Sequence, residues 1–318
     1  MSPASGVSPA SDVSPASGVT AASGVTAAPG VSPASGVTAA SGVMVACCQI
    51  APRVGELGAN RAACREVVRR AAGQGARIVV LPELASSGYV FHDLAEARAL
   101  AEPMDGPTVT EWVTLADRLG ITLVGGFCER GDDGLLYNTA VIVAGPRVLA
   151  AYRKVHLWDA EKLVFAAGSQ PPPVVEIDGA RLAVMICYDL EFPEWVRLPA
   201  LAGAQLLCAP TNWPRFPRPD GERPMEVVRV QAAAAVNRMF IAACDRVGHE
   251  RGVDWVGGSV IIDPDGWPLA GPMPGDQERT LMAICDLGVA SDKRISQRND
   301  VMEDRRPQLY GGLVEGRA

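Results

Sequence analysis

The sequence predicts an α/β fold from three observations. Short apolar runs rich in Val, Ile, Leu and Ala recur along the chain and stop at turn residues, as strands do. Stretches of helical period lie between them, the pattern of helices laid over a sheet. Some strands follow one another with only a turn between, so the sheets are not purely parallel.

Residues 43–50 open on an apolar run and read as a strand. Residues 58–73 place Ala, Val and Arg on separate faces of a helix. Residues 77–81 are a strand that stops at Pro82-Glu83. Residues 108–119 form a helix and 121–127 a strand. Strands at 138–143 and 148–153 flank the turn Gly145-Pro146. Residues 182–187 are a buried strand ending at Cys187, 193–202 a helix and 205–209 a strand. A helix at 226–236 precedes a strand at 240–244. Residues 256–262 and 267–269 flank Asp263-Pro264-Asp265-Gly266, a hairpin signal, and 280–285 is the last clear strand. Two layerings fit this order: two sheets face to face with helices outside, or one doubly wound sheet. The pattern does not choose between them.

Residues 1–43 read differently. After Met1 they are seven hexapeptides of the type Ser-Pro-Ala-Ser-Gly-Val, with Asp12 the only charge. Such a segment cannot bury enough apolar surface to offset the entropy of ordering it, so a disordered tail is expected. It has neither the basic start nor the continuous apolar stretch of a signal peptide. Residues 44–318 read as one domain with a C-terminal arm over about 291–318. Net charge is −7 with no Lys/Arg cluster, which argues against nucleic acid as a partner. No stretch is long and apolar enough to span a membrane. The eight cysteines form no CxxC, and five lie in apolar runs, which suits packing residues in a reducing cytoplasm. With three histidines and no paired Cys/His spacing, neither a metal nor another cofactor is expected.

Three residues carry chemistry. Glu83 follows one predicted strand, Lys154 another, and Cys187 ends a third. Each alone is unremarkable: a loop carboxylate, a surface lysine, a core cysteine. Together they supply a base, a cation and a nucleophile at strand ends, which converge on one rim in such folds. A thiol needs a base or a nearby cation to act as thiolate. Glu83 can take its proton and return it to a leaving amine. Lys154 and the Tyr188 N–H can hold the charge that develops on a carbonyl oxygen. The product is a thioester, which water hydrolyses.

The pieces around these residues are Leu81-Pro82-Glu83 with Ser87-Gly88-Tyr89, Tyr152-Arg153-Lys154-Val155-His156-Leu157, and Ile186-Cys187-Tyr188-Asp189-Leu190-Glu191-Phe192-Pro193-Glu194. Tyr137-Asn138, Pro210-Thr211-Asn212-Trp213 and Gly257-Gly258-Ser259 accompany them. Their order and spacing over nearly all of 44–290 resemble the nitrilase superfamily of carbon–nitrogen hydrolases, in its amidase-like branch. The resemblance implies a four-layer α-β-β-α sandwich, the Glu–Lys–Cys triad in the roles just given, and homo-oligomers built through helices and the C-terminal arm. It also implies a second glutamate after the lysine, for which Glu161 stands. Tyr89, Asn138 and Trp213 are candidate pocket residues.

Cys-Tyr-Asp is similar to amidase branches, whereas nitrilases more often show Cys-Trp-Glu. A small-molecule amide is therefore expected, with a nitrilase or N-carbamoyl amide hydrolase as the alternative. Branches that act on carboxylate-bearing amides commonly place arginine in the loop after the cysteine. Here Leu190 and Glu191 stand there, and a substrate carboxylate beside Glu191 meets like charge. The expected substrate is a neutral or amine-bearing amide.

Overall fold

The computed structural model describes residues 42–273 and 275–314. The expected tail lies outside the described residues except for its end, where Val43 is already the first residue of a strand. The strand therefore starts one residue inside the span read as tail.

The first half of the chain runs β1 (Val43–Gln49), α1 (Leu57–Gly73), β2 (Ile78–Val80), α2 (Leu94–Leu100), α3 (Pro107–Leu119), β3 (Thr122–Arg130), β4 (Leu136–Ala144) and β5 (Arg147–Arg153). The second half runs β6 (Val174–Ile177), β7 (Ala180–Val184), α4 (Pro193–Leu201), β8 (Leu206–Pro210), α5 (Met225–Asn237) and β9 (Phe240–Cys244). A short ribbon, β10 (His249–Glu250) and β11 (Val253–Asp254), precedes β12 (Val260–Ile262), β13 (Pro268–Ala270) and β14 (Arg279–Cys285).

These strands make two mixed sheets of six, ordered β14-β1-β2-β3-β4-β5 and β13-β12-β9-β8-β7-β6. Each has three parallel strands at its centre, β1-β2-β3 in one and β7-β8-β9 in the other. Those central strands are the near-continuous apolar runs of the sequence, as strands covered on both faces must be. Alternation along β1 shows the layering. Val45 and Cys47 join a core shared with Val184 and Cys208 of the other sheet. Ala46 and Cys48 face the opposite way and pack with Val68 of α1 and Trp112 of α3. On the far side, Val196 of α4 and Val230 of α5 cover the second sheet. Helix–sheet–sheet–helix is thus the packing, and the doubly wound alternative is set aside.

Helix ends follow local chemistry. Pro107 opens α3, where its missing N–H costs nothing, and Gly120 closes it at φ 61°. Helix α2, which the sequence pattern does not signal, starts at Asp93, whose side chain accepts the Glu96 N–H at 2.8 Å. The expected strand at 256–262 shortens to Val260–Ile262. Loop partners take the preceding amides: the Val256 N–H binds the Trp213 carbonyl and the Gly258 N–H binds Asp245 Oδ2. The polar stretch read as an arm forms a small exposed ribbon, β15 (Arg294–Ser296) and β16 (Asn299–Asp300), and then 3-10 turns. Residues 315–318 of the arm lie outside the described residues. Among the described residues, no helix is long and apolar enough to cross a membrane.

Gly126 of β3 sets the position of the loop that carries Glu83. A Cβ there would lie 2.7 Å from the Leu84 nitrogen and 2.8 Å from the Glu83 Cα. Only a residue without a side chain lets this loop lie flat on β3. Gly126→Ala should push the loop off the strand. Because misplacement by about 1 Å can cost about 10²-fold in rate, we expect kcat to fall at least tenfold with the circular dichroism spectrum unchanged.

Candidate active site

Segments that follow three strands deliver three side chains. After β2 the chain turns at Pro82, with the Leu81 N–H bound to the Val124 carbonyl and the Ala85 N–H to the Gly126 carbonyl. These bonds aim Glu83 inward, and it is wholly buried. Lys154 follows β5 and prolongs its ladder, donating its N–H to the Asn138 carbonyl at 2.8 Å. It too is wholly buried. Cys187 does not end β7, contrary to the sequence expectation, because that strand stops at Val184. It begins a 3-10 turn, Cys187–Glu191, with its backbone at φ 47°. A non-glycine residue in that left-handed region costs about 1–3 kcal/mol, and such strain gathers at functional sites. The turn leaves the Tyr188 N–H in its first residues, where a helix has no internal partner for it.

The charged groups meet in one cluster. Lys154 Nζ donates to Glu83 Oε1 at 2.7 Å and to Glu161 Oε1 at 2.8 Å. Asn138 Nδ2 donates to the same Glu83 oxygen at 2.6 Å and to Glu161 Oε1 at 3.3 Å. The Tyr89 hydroxyl donates to Glu161 Oε1 at 2.7 Å. Glu161 lies in a 3-10 turn, Asp159–Leu163, and its Oε2 accepts the Trp158 N–H at 2.8 Å. The second oxygen of Glu83, Oε2, is buried with no hydrogen-bond partner among the described residues. The Cys187 thiol donates to the Asn212 carbonyl at 3.7 Å, a weak contact.

Burial pushes the Glu83 carboxyl up to about 7, against the pull of Lys154, with the Glu161 charge adding to the rise. Burial opposes the charge on Lys154, but Glu161 and Glu83 outweigh it and hold the ammonium above its usual range. Burial, with the Glu83 charge behind it, raises the Cys187 thiol well above an ordinary cysteine. The resting sulfur therefore keeps its proton, and beside it stands a carboxyl that titrates near neutrality.

The remaining sequence candidates sort out. Asn138 is fully buried and its side-chain amide donates to both carboxylates, which orients them. A small chamber of about 30 Å³ touches Cys187, Tyr188, Glu191, Asn212 and Trp213. A larger cavity of about 370 Å³ reaches Tyr89 and Glu161. The two share Trp158, Pro214 and Phe216. Glu191, expected to present like charge to a substrate carboxylate, is paired. Its Oε1 accepts from Arg229 Nη1 at 2.9 Å, and the charge bias at the chamber comes from the addition of Glu226.

Sequence reasoning missed the carboxylates that hold this frame. Asp189 Oδ2 accepts the Ile186 N–H at 3.2 Å and the Tyr152 hydroxyl at 2.8 Å, while its Oδ1 takes the His156 N–H at 3.0 Å. It ties the Cys187 turn to the segment bearing Lys154. Glu250 accepts the Tyr89 and Val90 N–H groups at 3.0 and 2.9 Å, and Arg246 Nη1 at 2.9 Å. It fixes the loop from which Tyr89 reaches Glu161. Asp245 accepts the Trp213 N–H at 2.9 Å and the Gly258 N–H at 2.8 Å. Of these, Asp189 carried a signal, two positions after the cysteine. The others lie far along the chain, in runs that look like ordinary loops.

This arrangement matches a known family. A model of the carbon–nitrogen hydrolase family fits residues 44–294. The chain belongs to the carbon–nitrogen hydrolases. It is 35% identical over 270 residues to a nitrilase of Pyrococcus abyssi, covering 84% of this chain and 98% of that protein. It is 35% identical over 239 residues to the 2-oxoglutaramate amidase of Bacillus subtilis, covering 74% of this chain and 87% of that one. Among solved structures, a glutamate-to-glutamine variant of the amidase from Nesterenkonia sp. AN1 superposes with a TM-score of 0.70 at 29% identity, covering 86% of this chain and 97% of that one. In that structure the acetamide moiety of fluoroacetamide is covalently attached to the active-site cysteine.

Asp245 makes the stability of this carbon–nitrogen hydrolase depend on pH. Burial pushes its carboxyl up to about 7, although its backbone N–H partners pull the other way. The folded state thus holds this proton more tightly than the unfolded chain, so the contribution is complete below about pH 4 and is lost as pH rises toward 7. Asp245→Asn should make the decline of stability between about pH 4 and 7 shallower, measured as urea midpoints across that range.

Proposed function

We propose that this carbon–nitrogen hydrolase is an amidase that converts a small-molecule amide to its acid and ammonia. The observation that carries the reading is a Glu83 oxygen with no partner among the described residues, in a buried cluster that pairs Lys154 twice, with Cys187 buried at the start of its turn. The covalent adduct on the cysteine of the Nesterenkonia relative supports it.

The substrate carbonyl oxygen lies between Lys154 Nζ and the Tyr188 N–H. Glu83 Oε2 takes the thiol proton as Cys187 Sγ attacks the carbonyl carbon. The C=O electron pair moves onto oxygen, where the two donors hold it. Collapse returns that pair and breaks the C–N bond, and Glu83 gives its proton to the departing nitrogen. Ammonia leaves a thioester. Glu83, again ionised, takes a proton from water as the oxygen attacks, and the sulfur leaves and recovers the proton. Glu161 holds Lys154, with Tyr89 and Asn138 holding Glu161 in turn. Trp213 walls the chamber.

The substrate is neutral or amine-bearing. Glu191 and Glu226 both line the thiol chamber, and Glu191 alone of the two has an arginine partner among the described residues. We further propose homo-oligomers that bury apolar side chains now exposed on α4, α5 and the C-terminal segment, among them Leu198, Leu201, Val228, Leu309 and Val314. Cytoplasmic residence fits eight buried, unpaired thiols. The repeat segment is proposed to have no catalytic part.

Cys187→Ala should abolish ammonia release, and Lys154→Ala should lower kcat by about 10²–10³, the usual loss for one oxyanion donor. Retention of amide hydrolysis by Cys187→Ala would overturn the mechanism. Because Glu83 must be ionised to take the thiol proton, kcat/KM should rise with pH through about 7 and then level off. Propionamide should be a better substrate than an ω-amido acid of similar length, measured as ammonia released. A clear preference for the acid would sink the assignment of Glu191 and Glu226.

A further inference from the structure

The larger cavity is out of proportion to a small aliphatic amide. It holds about 370 Å³, whereas an apolar cavity of about 150 Å³ already admits benzene. Its walls are mostly rings and branched chains, including Tyr89, Phe91, Trp158, Val164, Phe165 and Trp255. They are held as a rigid set: Tyr89 meets Trp255 edge-on with centroids 5.3 Å apart, and Phe91 meets Phe165 at 6.0 Å. Glu161 and Asp159 are the acidic residues on the wall, and among the described residues no lysine, arginine or histidine lines it. An acyl chain ending in a carboxylate finds no counter-charge there.

The cavity also belongs to the reacting centre. It reaches Glu161, 2.8 Å from Lys154 Nζ, and shares Trp158, Pro214 and Phe216 with the chamber over Cys187. Glu83, by contrast, lines neither cavity and is wholly buried. With the leaving nitrogen toward Glu83, as the amidase reading has it, that nitrogen faces buried protein and not the larger cavity. Space for substituents lies on the acyl side.

We propose that this cavity is an acyl-binding pocket and that the substrates are primary amides of uncharged arylalkyl or bulky branched acids. The proposal rests on the amidase reading and narrows it. An arylalkyl group fills space that propionamide leaves to water, and each additional buried CH2 contributes about 0.8 kcal/mol.

The test uses the full chain and ammonia release from propionamide, hexanamide and 3-phenylpropionamide, with phenethylamine release from N-phenethylacetamide. We expect kcat/KM for 3-phenylpropionamide at least tenfold above propionamide, hexanamide between them, and N-phenethylacetamide hardly turned over. Val253 lines the cavity, and Val253→Trp, which fills part of it, should lower the ratio of 3-phenylpropionamide to propionamide at least fivefold. Val253→Ala, which makes room instead, should keep the preference and guards against misfolding of the larger variant. Equal kcat/KM for propionamide and 3-phenylpropionamide, or a preference for the N-phenethyl compound, would overturn the acyl pocket while leaving the amidase reading intact. Hydrolysis of nitriles but of no amide would overturn the amidase reading itself, and the pocket assignment with it.

Discussion

An ammonium ion enclosed between two carboxylates, with no exposed surface on Lys154 or Glu83, is the constraint on which the rest of the molecule depends. Charges taken from water are expensive unless paired and hydrogen-bonded, and removing one partner of such a set typically costs about 3–5 kcal/mol. The cluster persists because donors are supplied to its carboxylates. Asn138, Tyr89 and the Trp158 N–H all donate to its carboxylates. Of the four oxygens of these two carboxylates, Glu83 Oε2 alone lacks a donor among the described residues, and it is the one that chemistry needs free.

Around that cluster the loops are organised by a repeated device. Loops that run inward carry backbone N–H groups that water cannot reach, and these must find acceptors. Here buried carboxylates supply them. Asp189 serves the nucleophile turn and the His156 segment, Asp245 the Trp213 and Gly258 loops, and Glu250 the Val54 and Tyr89 loops. Arg246, itself 1% exposed, balances Glu250 and lies 4.6 Å over the Trp255 ring. Each anchor joins segments distant in sequence. Precision at the thiol is therefore a property of the whole sandwich rather than of the strand that precedes it.

Much of this is legible in the sequence, and the rest is hidden for physical reasons. The central parallel strands announce themselves because both faces are buried, so β1, β8 and β9 read as unbroken apolar runs. Glu83, Lys154 and Cys187 are each unremarkable alone and become legible together, as a carboxylate, an ammonium and a thiol each placed at the end of a predicted strand. Helix α2 escapes notice because a helix of seven residues has too few turns to display a period. The strand expected at 256–262 is too long because its first amides are claimed by Asp245 and Trp213, partners that no local pattern reveals. Asn138 looks like a pocket residue because its type suits ligand binding. Its true surroundings are two carboxylates brought in from other segments. The partner of Glu191 is hidden because Arg229 lies on a helix far along the chain.

The backbone at Cys187 has a consequence for how this chain can change. Its left-handed φ of 47° suits glycine, the one residue that would relax the turn at no steric cost. Glycine has no sulfur. Selection for a more durable molecule and selection for a working one therefore pull this position in opposite directions. A descendant released from the need to hydrolyse anything is free to relax this turn, through the loss of the very atom that made it an enzyme.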